Sequence, residues 1–164
     1  MNKTFLLLFV FFSLLSATKY FAPWYGKVVG VSDGDTLKIL AQNKVTKVRL
    51  YGIDSPEKRQ AFGQKAKQRT SDLCFGQEVR VEPLTLDRYG RVIARVYLKD
   101  ERDLGNILVE EGLAWWYHHY AKTDDKLKNL QDRARRQKLG LWADAHPTPP
   151  WEFRRTKKHK PHKD

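Results

Sequence analysis

Three short segments of the chain concentrate carboxylates and guanidinium groups: Asp33-Gly34-Asp35-Thr36, Arg49-Leu50-Tyr51-Gly52-Ile53-Asp54-Ser55-Pro56-Glu57, and Asp87-Arg88-Tyr89-Gly90-Arg91. Singly, each has a structural explanation. Asp-Gly makes a good turn, Asp-Ser-Pro can end a strand and cap a helix, and Asp-Arg-Tyr-Gly is an ordinary hairpin connection. Together they suit a more specific chemistry. Asp35 and Asp54 fall at the ends of neighbouring predicted strands, where folding can bring them together. Two carboxylates and a backbone carbonyl form a hard oxygen site suited to calcium or magnesium. Glu57, three residues beyond Asp54, can face the same cavity and activate a water. Arg49 and Arg91 carry guanidinium forks that grip a phosphate bidentately and stabilise developing charge. A metal, a carboxylate base and two arginine clamps form a kit for phosphodiester hydrolysis.

Strands must position these groups. Tyr25 to Val31 and Thr36 to Leu40 flank Ser32-Asp33-Gly34-Asp35, and Asp-Gly between such runs signals a hairpin. Val45 to Ile53 follows as a third strand. A helix is predicted from Pro56 to Cys74, with Phe62, Ala66, Thr70, Leu73 and Cys74 along one side and Pro56 in its first turn. Val79 and Val81 mark a fourth strand; Val92, Ala94, Val96 and Leu98 alternate in a fifth. A second helix is expected from its N-cap Asp103 to Gly112. The last has Thr123 as N-cap, Asp124 and Asp125 in its first turn, and Arg135, Arg136 and Lys138 before Gly140, an order that complements the helix dipole. The class is α+β, and five strands with a helix after the third point to a small closed barrel of OB type.

With 164 residues, the chain has room for one domain whose core needs no disulfide staples. The single cysteine, Cys74, excludes an intrachain disulfide, a cysteine-based zinc site and an iron–sulfur cluster. A net charge of +12 points to a polyanionic partner, and half of that excess lies between residues 21 and 150. Residues 1–19 read as an export signal: Lys3 supplies the positive start, and Phe5 to Leu15 is apolar except for Ser13. That run is short for a bilayer span, and Ser16–Ala17 only hints at a cleavage site, so an uncleaved anchor is the alternative. Membrane contact is expected only in that case. Residues 146–164, with Pro147, Pro149 and Pro150 before a Lys/Arg/His run, are expected to form a flexible basic tail.

The order of these motifs resembles the staphylococcal nuclease (thermonuclease) family. The resemblance covers about Tyr25 to Trp142 and includes Gly112-Leu113-Ala114 and Leu139-Gly140-Leu141-Trp142. It implies an OB-type barrel with three helices over residues 20–145 and a calcium-dependent enzyme that cleaves DNA and RNA, leaving 3′-phosphate and 5′-hydroxyl ends. By the same resemblance, Asp35 and Asp54 are the metal carboxylates, with Ser55 offering its backbone carbonyl where the family often has Thr. Arg49 and Arg91 match the phosphate-binding arginines, and Glu57 matches the glutamate usually assigned as general base. Arg88 and Tyr89 correspond to residues beside the nucleotide. Aligned from Gly112, Tyr120 matches a nucleotide-pocket tyrosine and His118 replaces another. Imidazole also offers a flat face for stacking.

Two rival classes fit the basic charge: a non-catalytic nucleic-acid scaffold of the same family and a protein anchored at an anionic membrane surface. The presence of Asp35, Arg49, Asp54, Glu57 and Arg91 together favours the enzyme. The chain is expected to act as a monomer with no obligate protein partner.

Overall fold

The computed structural model describes residues 22–158. The expected export signal, residues 1–19, and residues 159–164 of the tail lie outside them. Five strands close into a barrel: β1 (Trp24–Asp33), β2 (Thr36–Ala41), β3 (Lys44–Leu50), β5 (Glu78–Leu86) and β6 (Val92–Tyr97), ordered β1-β2-β3-β6-β5. β1 closes the ring antiparallel to β5, and β3 runs parallel to β6. Alternation along these strands sends Val28, Leu37, Ile39, Val48, Val79, Val81, Ala94 and Val96 into a fully buried core. The barrel and its place for the first helix match the expected OB-type α+β architecture.

The β1–β2 hairpin forms as predicted, with Asp33 paired to Thr36. Its glycine has a different reason from the expected one. Gly34 has no positive φ; instead, a Cβ there would lie 2.7 Å from Ser55 Oγ and 2.9 Å from Ala66 Cβ. Close packing of the turn on the next segments, rather than backbone freedom, requires glycine.

The predicted third strand, Val45 to Ile53, is broken. β3 ends at Leu50, Gly52 turns the chain at φ 71°, and β4 (Ile53–Asp54) leaves the barrel to pair with β7 (Trp115–Trp116). An L-residue rarely holds that φ, so Gly52 provides the break that swings Asp54 off the barrel wall. The first helix also starts later than predicted. α1 spans Gly63–Cys74, while residues 55–62 form an irregular loop ending at Phe62 with φ 64°. Pro56 starts no helix, which leaves Glu57 on a loop.

The second helix, α2 (Leu104–Glu110), is capped by Asp103, which accepts from the Asn106 N–H at 3.0 Å. The third, α3 (Asp125–Arg136), is capped by Asp124 rather than Thr123; the Asp124 carboxylate accepts from the Leu127 N–H at 3.0 Å. Arg95 of β6 pairs with both capping carboxylates and ties the two helices to the barrel. A short 3₁₀ turn, Gly140–Ala143, follows.

The largest departure is at the C-terminal end. Where a flexible tail is expected, residues 150–158 form a fourth helix, α4 (Pro150–Lys158). Pro150 occupies its first position, where a missing N–H costs nothing, and Glu152 sits in its first turn. The prolines that end one element here begin another. α4 rests on a second, smaller apolar cluster of Trp115, Ala134, Leu141 and Trp142, against which Trp151 packs. Among the described residues, no helix is long and apolar enough to cross a membrane.

Candidate active site

One cleft gathers nearly all the chemistry expected from the sequence. Asp35 enters from the β1–β2 turn, Arg49 from the end of β3, Asp54 from β4, and Ser55 and Glu57 from the loop after it. The β5–β6 hairpin contributes Arg88, Tyr89 and Arg91 across the opening, and Tyr120 lines the far side. The cleft encloses roughly 730 Å³, within the range of ligand pockets. Of the ten expected site residues, only His118 stays out of it.

His118 is therefore a correction. The chain turns after β7, with the Tyr120 N–H donating to the Tyr117 carbonyl at 3.1 Å, so residues 117 and 120 share the cleft side. His118 lies between them, its ring edge-on to Trp116 at 5.9 Å. Tyr117 takes the place assigned to it. The tyrosine is anchored by its N–H to the Gly52 carbonyl at 2.8 Å, and burial, then the nearby Asp54 charge, push its phenol above the ordinary value.

At the cleft floor, Asp35 and Asp54 are almost fully buried, with side chains 2% and 1% exposed. Arg49 bridges them. One terminal nitrogen pairs with Asp35 Oδ1, and the other donates to Asp54 Oδ1 at 2.8 Å and to the Ile53 carbonyl at 3.3 Å. Asp35 Oδ2 accepts the Ser55 N–H at 2.6 Å, and Oδ1 accepts the Thr36 hydroxyl at 3.1 Å. Burial pulls the Arg49 pKa below the usual guanidinium value despite the favourable Asp54 charge. Ordering this group beforehand is costly. Arg91 is held differently: Asp87 accepts its backbone N–H at 2.9 Å and its Nε at 2.6 Å. Among the described residues no ion pair engages its terminal nitrogens, and Tyr89 lies beside it with its guanidinium 5.7 Å from the ring centroid.

The floor suits a hard cation. An ionised carboxylate offers about four lone-pair sites. Asp35 uses three, for Thr36, Arg49 and Ser55, and Asp54 uses three, for Arg49 and the two terminal nitrogens of Arg154. Each carboxylate thus retains one. Ser55 Oγ is buried beside them without a partner. Among the described residues no group of three or more His, Cys, Asp or Glu side chains is gathered closely enough to hold one metal ion. A cation here would rely on two carboxylates and complete its shell with carbonyls and water, as calcium does.

The sequence reading missed Arg154 of α4. Its terminal nitrogens donate to Asp54 Oδ2 at 2.8 Å, to Asp54 Oδ1 at 3.3 Å and to Glu57 Oε1 at 2.7 Å. Burial opposes its charge, but the bonds to Asp54 and Glu57 prevail and raise its pKa above the ordinary value. A signal was present: Pro150 as a helix start puts Trp151 and Arg154 three apart, on one face.

A small barrel with paired carboxylates, opposed arginines and exposed aromatic rings at one cleft defines a class of proteins that handle phosphate esters. The family described as "Staphylococcal nuclease homologue" matches residues 47–144, and the chain belongs to it. It is 41% identical over 155 residues to a protein of Shigella flexneri named "Micrococcal nuclease", covering 89% of each chain. It is also 42% identical over 136 residues to an Escherichia coli protein named "Uncharacterized endonuclease", covering 83% of this chain and 88% of that one. A third relative, "Staphylococcal-like nuclease CAN1" of Arabidopsis thaliana, is 35% identical over 115 residues, which are 70% of this chain and 35% of that one.

Proposed function

We propose that the protein is a calcium-dependent nuclease that hydrolyses phosphodiester bonds of DNA and RNA, leaving 3′-phosphate and 5′-hydroxyl ends. The observation that carries the reading is the convergence of Asp35, Asp54, Glu57, Arg49 and Arg91 on one cleft. The names of the relatives support the activity, and the net charge of +12 supports a polyanionic substrate.

Asp35 and Asp54 would hold the calcium ion, with main-chain carbonyl oxygen from Ser55. When bound, calcium would polarise the scissile phosphate. Glu57 accepts the proton of a water attacking phosphorus. Arg49 and Arg91 hold the non-bridging oxygens as negative charge builds, and the bond to the 5′ oxygen breaks, that oxygen taking a proton from water to leave as the 5′-hydroxyl. Arg49 is preorganised by its carboxylate bridge and needs little rearrangement as the charge develops. Tyr89 and Tyr120, each 69% exposed, offer flat faces at the opening for unstacked bases. Lys3 and the apolar run Phe5–Leu15 support export as the setting for this activity.

The test is a fluorogenic DNA and RNA assay on the purified protein with calcium, then with EGTA. We expect cleavage of both that disappears on chelation and returns with added calcium, with phosphate on the 3′ product end. Binding without chelator-sensitive cleavage would instead make it a nucleic-acid scaffold.

A further inference from the structure

α4 belongs to the cleft by construction. Three independent contacts bring it there. Trp151 stacks on Tyr117 with ring centroids 5.1 Å apart and 12° between planes, and it meets Trp115 edge-on at 5.6 Å. Pro150 is buried beneath it. Ahead of the helix, the Thr148 carbonyl accepts from Gln60 Nε2 at 2.5 Å, while Gln60 Oε1 accepts the Glu57 N–H at 3.1 Å. One glutamine thus joins the C-terminal segment to the loop that carries Glu57. Arg154 adds the charged link, reaching the Glu57 carboxylate and both oxygens of Asp54.

Those links matter because residues 55–62 have no regular structure of their own. The loop's backbone support is two turn bonds, Gln60 N–H to the Glu57 carbonyl at 2.8 Å and Gly63 N–H to the Gln60 carbonyl at 3.0 Å. The Gln60 side chain on the Glu57 N–H adds to these, and Gln64 Nε2 donates to the Lys58 carbonyl at 3.2 Å. The Glu57 side chain is 39% exposed, and among the described residues its one ion pair is with Arg154. Asp54 is rigid by comparison, paired into β4 and 1% exposed. A fork that takes a buried carboxylate and an exposed, loop-borne one at once ties the second to the first. Bidentate geometry on a buried partner distinguishes this contact from an ordinary surface ion pair.

We infer that Arg154 is a positioning residue for the proposed nuclease, and that α4 is a clamp holding the Glu57 loop against Asp54. The inference rests on the nuclease reading for its catalytic consequence, not for the clamp itself. Arg154 acts through Glu57 and Asp54, like the outer-shell partners that orient metal-site carboxylates.

The test compares full-length wild type with Arg154→Ala and Arg154→Lys by two readouts. Amide hydrogen exchange over residues 55–63 is measured with and without calcium. We expect several-fold faster exchange in Arg154→Ala there, with the barrel strands unchanged. On DNA with calcium, kcat of Arg154→Ala should fall by about 10- to 100-fold, the usual effect of losing an outer-shell partner, while KM moves little. Arg154→Lys, keeping the charge on a single nitrogen where there was a fork, should recover part of both effects. Unchanged loop exchange would remove the clamp. Faster exchange with kcat unaltered or raised would also overturn the inference, because Arg154 would then be a passive contact or a plug over the cleft. A wild type that cleaves nothing would sink the nuclease reading alone, since the exchange arm still decides the clamp.

Discussion

Two arginines of this barrel each bridge two buried aspartates, yet they serve opposite ends. Arg95 joins Asp103 to Asp124, whose side chains are 7% and 8% exposed; Arg49 joins Asp35 to Asp54, at 2% and 1%. In the first cluster every carboxylate has a second duty, since Asp103 and Asp124 cap α2 and α3 through their other oxygens. Burial works against the Arg95 charge, but hydrogen bonds to Asp124 and Asp103 outweigh it and raise its pKa. In the second cluster burial prevails and the Arg49 pKa falls. Neither Asp35 nor Asp54 caps a helix, and both border an open cleft. The same three groups thus make a structural staple where the carboxylates also cap helices. They make a reactive centre where the carboxylates border an open cleft and the cation sits in an unfavourable place.

This contrast can be broken experimentally, starting with the largest effect. Arg49→Ala or Arg91→Ala should lower kcat on DNA by about 10²–10³, the usual result of removing one preorganised donor, with the folded circular dichroism spectrum retained. Near-wild-type turnover in either variant would place the phosphate elsewhere. Asp124→Ala should act on the other cluster, lowering stability by about 1–2 kcal/mol in urea unfolding through loss of the α3 cap, with kcat within twofold of wild type. A catalytic defect there would erase the distinction between staple and centre. At the rim the effects are smaller. Tyr120→Ala should raise KM for single-stranded DNA about fivefold, the low end of a base-stacking contribution, whereas His118→Ala should leave it unchanged. The reverse ranking would restore His118 to the nucleotide pocket.

How much of this was legible beforehand depends on what each residue needs. The barrel strands announced themselves through strict alternation, as at Val79 and Val81 or Val92 to Val96, because each strand buries one face. Asp103 was readable as a cap because capping is local. The sequence pattern points to Thr123 as the next cap and places Asp124 inside the first turn, because adjacent residues of similar propensity cannot be separated without knowing that Arg95 waits beside one of them. Pro56 satisfied every local rule for starting a helix, but the loop after it is tied to Glu57 and Thr148 instead. The prolines near residue 150 looked like the beginning of a mobile arm, since nothing local says that Trp151 has an aromatic surface to land on.

The order of the motifs, with the family resemblance it carries, pointed to the barrel class and to nine of the ten expected site residues that line the cleft, because turns and strand ends are short-range features that put their side chains at predictable places. Tertiary structure alone decided that Gly52 turns Asp54 out of the barrel, that Tyr117 and not His118 faces the cleft, and that Arg154 reaches back across 100 residues to Asp54. Those choices depend on which surfaces meet after the chain has closed, and no window of neighbouring residues contains that information.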